Sequence, residues 1–339
     1  MSHKFPYKWY LKDGYPAKGI DKNNLNVFGT FICGGGSSMG YKLAGYNHLG
    51  GVEIDPPIAD VYKTNHSPRH LYCEDIREFN KRKDLPKELY NLDILDGSPP
   101  CSTFSMAGSR EKAWGKKKQF REGQANQTLD DLVFVYCDTV LKLNPKVFIL
   151  ENVKGIIQGN AKVYSKAIVK KMSDEYNVQV FCLNAASMGV PQKRERVFFI
   201  GLRKDIKRDK LKLGFSEKAI LFREFQENNN TNDLTKVQFD LWKRQSNNDR
   251  TLADIRKEAN GFTDYLLSEN EVIPTLTGGG KFLLKNQPRW MTTNEYCCSG
   301  TYPLDYNFKK IEPKYLIGMS VPPVMTAQIA HQIYLQWLK

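Results

Sequence analysis

Six short apolar runs constrain what this chain can fold into. "NVFGTFI" (26–32), "LGGVEI" (49–54), "LDILDG" (92–97), "KVFILE" (146–151), "NVQVFCL" (177–183) and "RVFFIGL" (196–202) are rich in branched and aromatic side chains, which fit a sheet buried on both faces. Between two of these runs, Leu129, Leu132, Val133, Tyr136, Cys137, Val140 and Leu141 recur at helical spacing, with Thr128 and Asp131 placed for a capping box. Strand, helix, strand in succession predicts a parallel, doubly wound α/β sheet. After Arg203 the character changes: residues 203–288 carry polar tracts such as "QENNNTND" and "QSNND", few strand patterns, and the glycine-rich turn "PTLTGGGK". This stretch reads as a second domain or a long insertion. The closing "SVPPVMTAQIAHQIYLQWLK" sets prolines in a first helical turn ahead of a periodic apolar face, so a final helix is expected to pack back on the sheet.

Composition narrows the function classes. The chain has 339 residues, enough for one large domain and a smaller one. It has no run of eighteen apolar residues, and its N-terminus lacks the apolar stretch and cleavage site of a secretory signal, so a cytoplasmic protein outside the membrane is expected. Seven cysteines, odd in number and without a C-x-x-C pair, and five scattered histidines argue against a disulfide framework or a zinc site. The formal charge of +13 favours a polyanionic partner, nucleic acid above all, although a basic surface kept for solubility has the same composition.

Chemistry-bearing residues sit where the predicted strands end. "FICGGGSSMGYKLAGY" (31–46) is a glycine cluster directly after the first strand, and the next strand ends in Glu53. Glycines there let a ligand approach the backbone, and the acid can accept hydrogen bonds from ribose hydroxyls; a tight turn and a surface acid would look the same. The spacing does not match G-x-G-x-x-G, which speaks against a nicotinamide dehydrogenase. Cys101 follows Pro99 and Pro100 in "GSPPCSTFSMAG". Its sulfur is either a nucleophile on a stiffened support or a small buried apolar residue. Glu151 ends a further strand, as a proton donor with a raised pKa or as a helix cap. Arg194 and Arg196 lie two apart where a strand begins, so both are expected on one face, ready for an anion or a base edge or simply solvated.

Taken in order, F-I-C-G-G-G, G-S-P-P-C-S-T-F-S, E-N-V, Q-K-R-E-R, a T-L dipeptide in a variable region, R-W-M-T-T-N-E and G-M-S-V-P-P resemble the ordered motifs of the DNA cytosine-5 methyltransferases. The resemblance runs from about residue 26 to the C-terminus. It implies a Rossmann-like S-adenosylmethionine-dependent methyltransferase sheet carrying a smaller inserted target recognition domain. The implied division is 1–25 N-terminal extension, 26–202 catalytic and cofactor-binding domain, 203–288 target recognition domain, and 289–339 a segment returning to the catalytic domain.

What the resemblance implies for single residues is specific. Cys101 would attack ring carbon 6 of a flipped cytosine, Glu151 would hold or protonate ring nitrogen 3, Arg196 would bind the carbonyl oxygen, and Arg194 would support the nucleophile region or an adjacent phosphate. For S-adenosylmethionine, leaving as S-adenosylhomocysteine, it points to Phe31, Gly34, Gly36, Glu53, Ile54, Asp75, Ile76, Pro100, Leu129 and Ser320, with no metal required. The basic stretch "AGSREKAWGKKKQFREGQANQ" would be a mobile loop closing on DNA through Arg110, Lys112, Lys116, Lys117, Lys118 and Arg121, with a solvated loop as the plainer alternative; Thr275 matches the common element of the recognition region. The implied partner is double-stranded DNA, bound by a monomer within a restriction-modification or related DNA-marking system. A transfer RNA cytosine-5 methyltransferase and a non-catalytic DNA-binding homologue are the competing readings. Two positions depart from the family pattern, Cys33 in the glycine loop, where a positive φ would carry strain, and Met319, which lacks an amide to donate.

Overall fold

The computed structural model describes residues 3–100, 131–229, 233–257 and 264–339. The chain divides into two compact units, one of Tyr15–Asn184, Glu195–Gly214 and Thr326–Lys339, the other of Met1–Gly14, Ala185–Arg194 and Phe215–Met325.

The first unit is built on a seven-stranded sheet. Its elements in chain order are β1 (Asn26–Thr30), α1 (Gly36–Leu43), β2 (Asn47–Val52), α2 (Pro56–His66), β3 (His70–Tyr72), α3 (Ile76–Lys81), β4 (Ile94–Gly97), α4 (Leu132–Leu143), β5 (Val147–Val153), α5 (Lys162–Met172), β6 (Tyr176–Asn184) and β7 (Glu195–Arg203). The strand order is β3-β2-β1-β4-β5-β7-β6. Strands β1 to β5 pair in parallel, whereas β7 runs antiparallel to both β5 and β6. The order reverses between β1 and β4, and in open α/β sheets ligands collect at the carboxyl ends of the strands flanking such a switch point.

Side-chain alternation decides what each face does. Phe28, Leu95, Phe148, Leu150, Val197 and Phe199 point to one face, where Val133, Tyr136 and Val140 of α4 and Ile168 and Met172 of α5 bury them. Tyr136 can come this close because Gly97 has no side chain: a Cβ there would lie 2.3 Å from its ring. Its hydroxyl then sits 2.9 Å from the Leu95 carbonyl and 2.8 Å from that of Ile149. The opposite face carries Gly29, Asp96, Ile149 and Glu151, and receives α1 through the fully buried Tyr41. Asp131 accepts a bond from Arg77 at 2.6 Å ahead of α4, while Thr128 lies outside the described residues.

All six apolar runs are strands; β3, an edge strand of half-buried residues, carried no such signal. The second unit holds α6 (Lys236–Lys243), α7 (Leu252–Arg256), the parallel pair β8 (Asp264–Leu267) and β9 (Lys281–Leu284), α8 (Thr293–Gly300) and α9 (Pro313–Met319). At its centre Arg289 and Glu295 form a bidentate ion pair, 2.9 and 2.8 Å, with neither side chain exposed. Glu295 also accepts the backbone N–H groups of Glu227 and Thr292, so its oxygens are well supplied with donors. The last helix, α10 (Pro323–Ile333), begins at the expected proline, and Tyr46 donates to its Ala330 carbonyl at 2.9 Å within the sheet unit. No helix among the described residues is long and apolar enough to cross a membrane.

Candidate active site

The glycine-rich turn after β1 is strained on purpose. Phe31 and Cys33 both adopt positive φ, +56° and +48°, and Gly35 follows at +78°. Each non-glycine residue there costs on the order of 1–3 kcal/mol, a cost that surrounding structure must offset and that gathers at ligand sites. Part of the offset is visible: the Cys33 N–H donates to Glu53 Oε2 at 2.9 Å, and the Asp55 N–H donates to Oε1 at 2.9 Å. Glu53 is thereby fixed just past the end of β2 with its two oxygens held at a known orientation. Burial pushes its carboxyl up to about 7.

Of the cofactor candidates, Phe31, Gly34, Gly36, Ile54, Asp75, Ile76 and Pro100 follow strand ends at the carboxyl edge of the sheet. Ile76 and Leu132 form a small apolar cluster with Phe31 and Val135 packed against it. Asp75 caps α3, accepting from the Arg77 N–H at 2.8 Å and pairing with the Arg77 side chain. Gly34 and Gly36 are buried, Ile54 and Pro100 half-buried. A carboxylate offers about four lone-pair positions, so Glu53 retains acceptor capacity beyond the backbone donors of Cys33, Ile54 and Asp55 for a ribose hydroxyl, and the Phe31–Ile76 cluster supplies an apolar wall for a flat ring. This donor set fits S-adenosylmethionine. Among the described residues no cluster of three or more His, Cys, Asp and Glu could hold a metal ion.

At the end of β5, two strands beyond β1, lies a pair of opposite charges. Glu151, near the end of β5 and 8 % exposed, meets Arg196 of β7 at 2.9 Å between Oε1 and Nε. Register explains the meeting: Glu151 pairs with Phe198, and Arg196, two residues away on the same strand, shares its face. Arg196 also donates to the Glu195 carbonyl at 2.8 Å. Asn152 points to the other face and donates to the Pro99 carbonyl at 3.4 Å, while Ser98 donates to the Phe31 carbonyl at 3.4 Å. The turn that leads to Cys101 is therefore tied both to the Glu151 strand and to the glycine loop. Cys101, Leu129, Arg110, Lys112, Lys116, Lys117, Lys118 and Arg121 themselves lie outside the described residues.

Arg194 is placed differently from Arg196. The strand begins only at Glu195, and Arg194 belongs to the second unit, 2 % exposed, donating to the carbonyls of Leu276 at 2.9 Å and Gly318 at 3.1 Å. Thr275 donates to the Lys193 carbonyl at 2.6 Å, and Gln192 accepts from the Leu276 N–H at 2.9 Å. Ser320 is buried in that unit, accepting from Tyr302 and donating to the Leu316 carbonyl. The Q-K-R, T-L and G-M-S segments thus meet through Arg194. Met319 ends α9 at 44 % exposure. Sequence reasoning gave no role to Asn152 or Asp96; the asparagine stood in the E-N-V motif, whereas the aspartate was hidden inside an apolar run.

A sequence model described as "C-5 cytosine-specific DNA methylase" matches residues 25–335. The chain belongs to that family. The type II methyltransferase M1.HphI of Haemophilus parahaemolyticus is 28% identical over 345 residues, covering 91% of this chain and 87% of that protein. M.DdeI of Desulfomicrobium norvegicum, also a type II methyltransferase, is 35% identical over 187 residues, covering 53% of this chain but only 41% of the relative. Among solved structures, Spodoptera frugiperda DNMT2 shares the fold with a TM-score of 0.65 at 16% identity, covering 92% of this chain and 100% of its own. Family and fold together place the sheet unit among Rossmann-like methyltransferases.

Proposed function

We propose that this chain is a sequence-specific DNA cytosine-5 methyltransferase. The observation that carries the reading is the buried Glu151–Arg196 pair, one residue from the asparagine that holds the Pro99–Pro100 turn. The Watson–Crick edge of cytosine presents a carbonyl oxygen, a ring nitrogen acceptor and an amino donor. A protonated Glu151 can donate to the nitrogen and accept from the amine, while Arg196 donates to the oxygen, so the pair complements that edge.

Cytosine carbon 5 is a poor nucleophile. Attack of the Cys101 thiolate on carbon 6 forms a C–S bond and pushes the ring electrons to nitrogen 3, which takes the Glu151 proton; the resulting enamine is nucleophilic at carbon 5. Phe31, Gly34, Gly36, Glu53, Ile54, Asp75, Ile76 and Pro100 would hold S-adenosylmethionine, which would supply on its sulfonium the electrophilic methyl group that carbon 5 takes up. Loss of the carbon 5 proton to a base then returns the electrons, and Cys101 leaves. Arg194 acts as a positioning residue that joins the segments bearing Leu276 and Gly318.

A base inside the duplex is out of reach, so it is flipped at a cost on the order of a few kcal/mol. The basic side chains Arg110, Lys112, Lys116, Lys117, Lys118 and Arg121 supply cations for the DNA backbone, and the region 203–288, Thr275 included, reads the major groove. The protein acts as a cytoplasmic monomer on double-stranded DNA, and the names of its relatives favour a restriction-modification setting. Bisulfite sequencing of DNA from cells expressing the protein is expected to show 5-methylcytosine in one short sequence context. Unmodified DNA alongside methylated transfer RNA would overturn the choice of substrate.

A further inference from the structure

His66 closes α2 as a buried residue, and neither the sequence pattern nor the proposed chemistry gives it a task. Its Nε2 lies 3.4 Å from the carbonyl of Gly34 in the glycine-rich turn. A carbonyl oxygen can only accept, so Nε2 carries a hydrogen and donates it. Burial, with the nearby Lys42 charge, pushes the ring well below its ordinary pKa, so the imidazole is neutral and the contact selects the Nε2–H tautomer. The next residue of the turn lies against the same ring: Gly35 stands at φ +78°, and a Cβ built on it would overlap the imidazole. The ring is itself fixed. It stacks on Tyr62 with centroids 4.4 Å apart and planes at 19°. The Tyr62 hydroxyl donates to Ser38 Oγ of α1 at 3.1 Å and lies 3.3 Å from His48 Nδ1 of β2, while Lys42 of α1 donates to the His66 carbonyl at 3.3 Å.

We infer that His66 is a positioning residue for the cofactor site: its Nε2–H holds the Gly34–Gly35 peptide, so that the glycine-rich turn is preformed when S-adenosylmethionine binds. The inference rests on the cofactor part of the methyltransferase reading, which puts Gly34 and Gly36 in the binding site. Strain explains why the turn needs such a clamp. Phe31 and Cys33 are held at positive φ, and Gly35, without a Cβ, has wide freedom of its own. Glu53 restrains the turn at the Cys33 N–H. The Gly34–Gly35 peptide is restrained at both its polar ends, the Gly35 N–H donating to the Ile32 carbonyl at 2.8 Å and the Gly34 carbonyl accepting from His66. The Gly35 carbonyl then accepts the Met39 N–H at 2.9 Å, which carries the turn into α1. Without the His66 donor the binding-competent turn shares its population with relaxed ones, and apparent affinity falls by the fraction that remains competent.

Calorimetry with S-adenosylhomocysteine on the full chain tests this with three variants. His66→Phe keeps a ring for Tyr62 but removes the donor, His66→Gln puts an amide N–H where Nε2 stands, and His66→Asn holds the same amide one methylene short. One net hydrogen bond is worth roughly 2- to 10-fold, so His66→Phe and His66→Asn are expected to weaken Kd about fivefold, with His66→Gln within about twofold of wild type. In methyl transfer, KM for S-adenosylmethionine should rise by the same factor, while kcat at saturating cofactor and KM for DNA hold within about twofold, a split that general loss of stability does not produce. Hydrogen exchange supplies a readout without ligand: in the cofactor-free protein the Gly35 N–H should exchange roughly fivefold faster in His66→Phe, and close to the wild-type rate in His66→Gln. The comparison of His66→Asn with His66→Gln covers a failure of His66→Phe to fold. Affinity unchanged in both His66→Phe and His66→Asn, His66→Gln no better than either, or Gly35 exchange that ignores the donor would overturn the inference and leave the methyltransferase reading intact. Wild-type protein that binds no S-adenosylhomocysteine would sink that reading, and the cofactor role of His66 with it.

Discussion

Replacing Glu53 by Gln separates what this acid costs the free protein from what it contributes to the cofactor. Burial pushes Glu53 up to about 7 from an ordinary 4.5. A folded-state pKa raised in this way means that the associated stability is present in full below about pH 4.5 and is lost as pH rises through about 7. A shift of that size corresponds to about 3 kcal/mol. Glutamine does not titrate, but one of its ends is an amide donor facing either the Cys33 or the Asp55 N–H, which loses its acceptor at a cost of about 1–3 kcal/mol at every pH. Urea unfolding should therefore find Glu53→Gln clearly less stable than wild type at pH 5 and near parity at pH 8.5. For the cofactor the sign is opposite, because ribose hydroxyls donate more strongly to a carboxylate than to an acid or an amide. Losing the charge from two such bonds removes about 2–3 kcal/mol, or roughly 30- to 150-fold in Kd. Calorimetry with S-adenosylhomocysteine at pH 6, 7 and 8 should show wild-type affinity tightening as pH rises toward 8, and a weak, flat response in the variant. Wild-type affinity independent of pH, or a variant within threefold of wild type at pH 8, would refute the assignment of Glu53.

Three further outcomes follow from particular contacts. Glu295→Gln breaks the bidentate pair with the fully buried Arg289 and is expected to destabilise the second unit by about 3–5 kcal/mol; hydrogen exchange that stays slow across Thr293–Gly300 would contradict this. Cys33 at φ +48° should tolerate Gly, with stability unchanged or higher by up to about 1 kcal/mol, and resist Val, which should cost at least about 1 kcal/mol. Equal urea midpoints for the two variants would show that the turn relaxes without cost. Offered duplex DNA and transfer RNA in competition, the protein should label the DNA, and preferential labelling of RNA would reverse the choice of nucleic acid.

The sheet was legible because burial on both faces leaves a continuous apolar signature in β1, β2, β4, β5 and β7; the edge strand β6 showed it through branched and aromatic residues that the structure leaves partly exposed, and three-residue β3 did not show it. The acids and glycines of the site were legible because they interrupt or end those runs: Glu53 and Glu151 stand out at the close of apolar segments. Asp96 also interrupts such a run, yet nothing in sequence distinguishes an acid turned toward the Tyr41 hydroxyl from one turned toward solvent, since that depends on where α1 packs on the sheet. Arg194 illustrates the limit of spacing arguments. Two residues apart implies one face only if both residues are in the strand, and β7 starts between them. The link between Arg289 and Glu295 required knowing that the chain turns through a cap at Thr292, and Asn152 required knowing where Pro99 would lie. Tertiary position, and not residue type, was the missing quantity in each case.

Covalent catalysis by Cys101 is tested most directly with a fluorinated substrate. Incubated with S-adenosylmethionine and duplex DNA bearing 5-fluorocytosine at the site that bisulfite sequencing identifies, the wild-type protein should form an adduct that survives denaturing electrophoresis, because fluorine at carbon 5 cannot leave as a proton does. Cys101→Ser should form none and should transfer no labelled methyl to ordinary DNA while remaining folded. Methyl transfer by Cys101→Ser, or active wild-type protein that never yields the adduct, would contradict the mechanism.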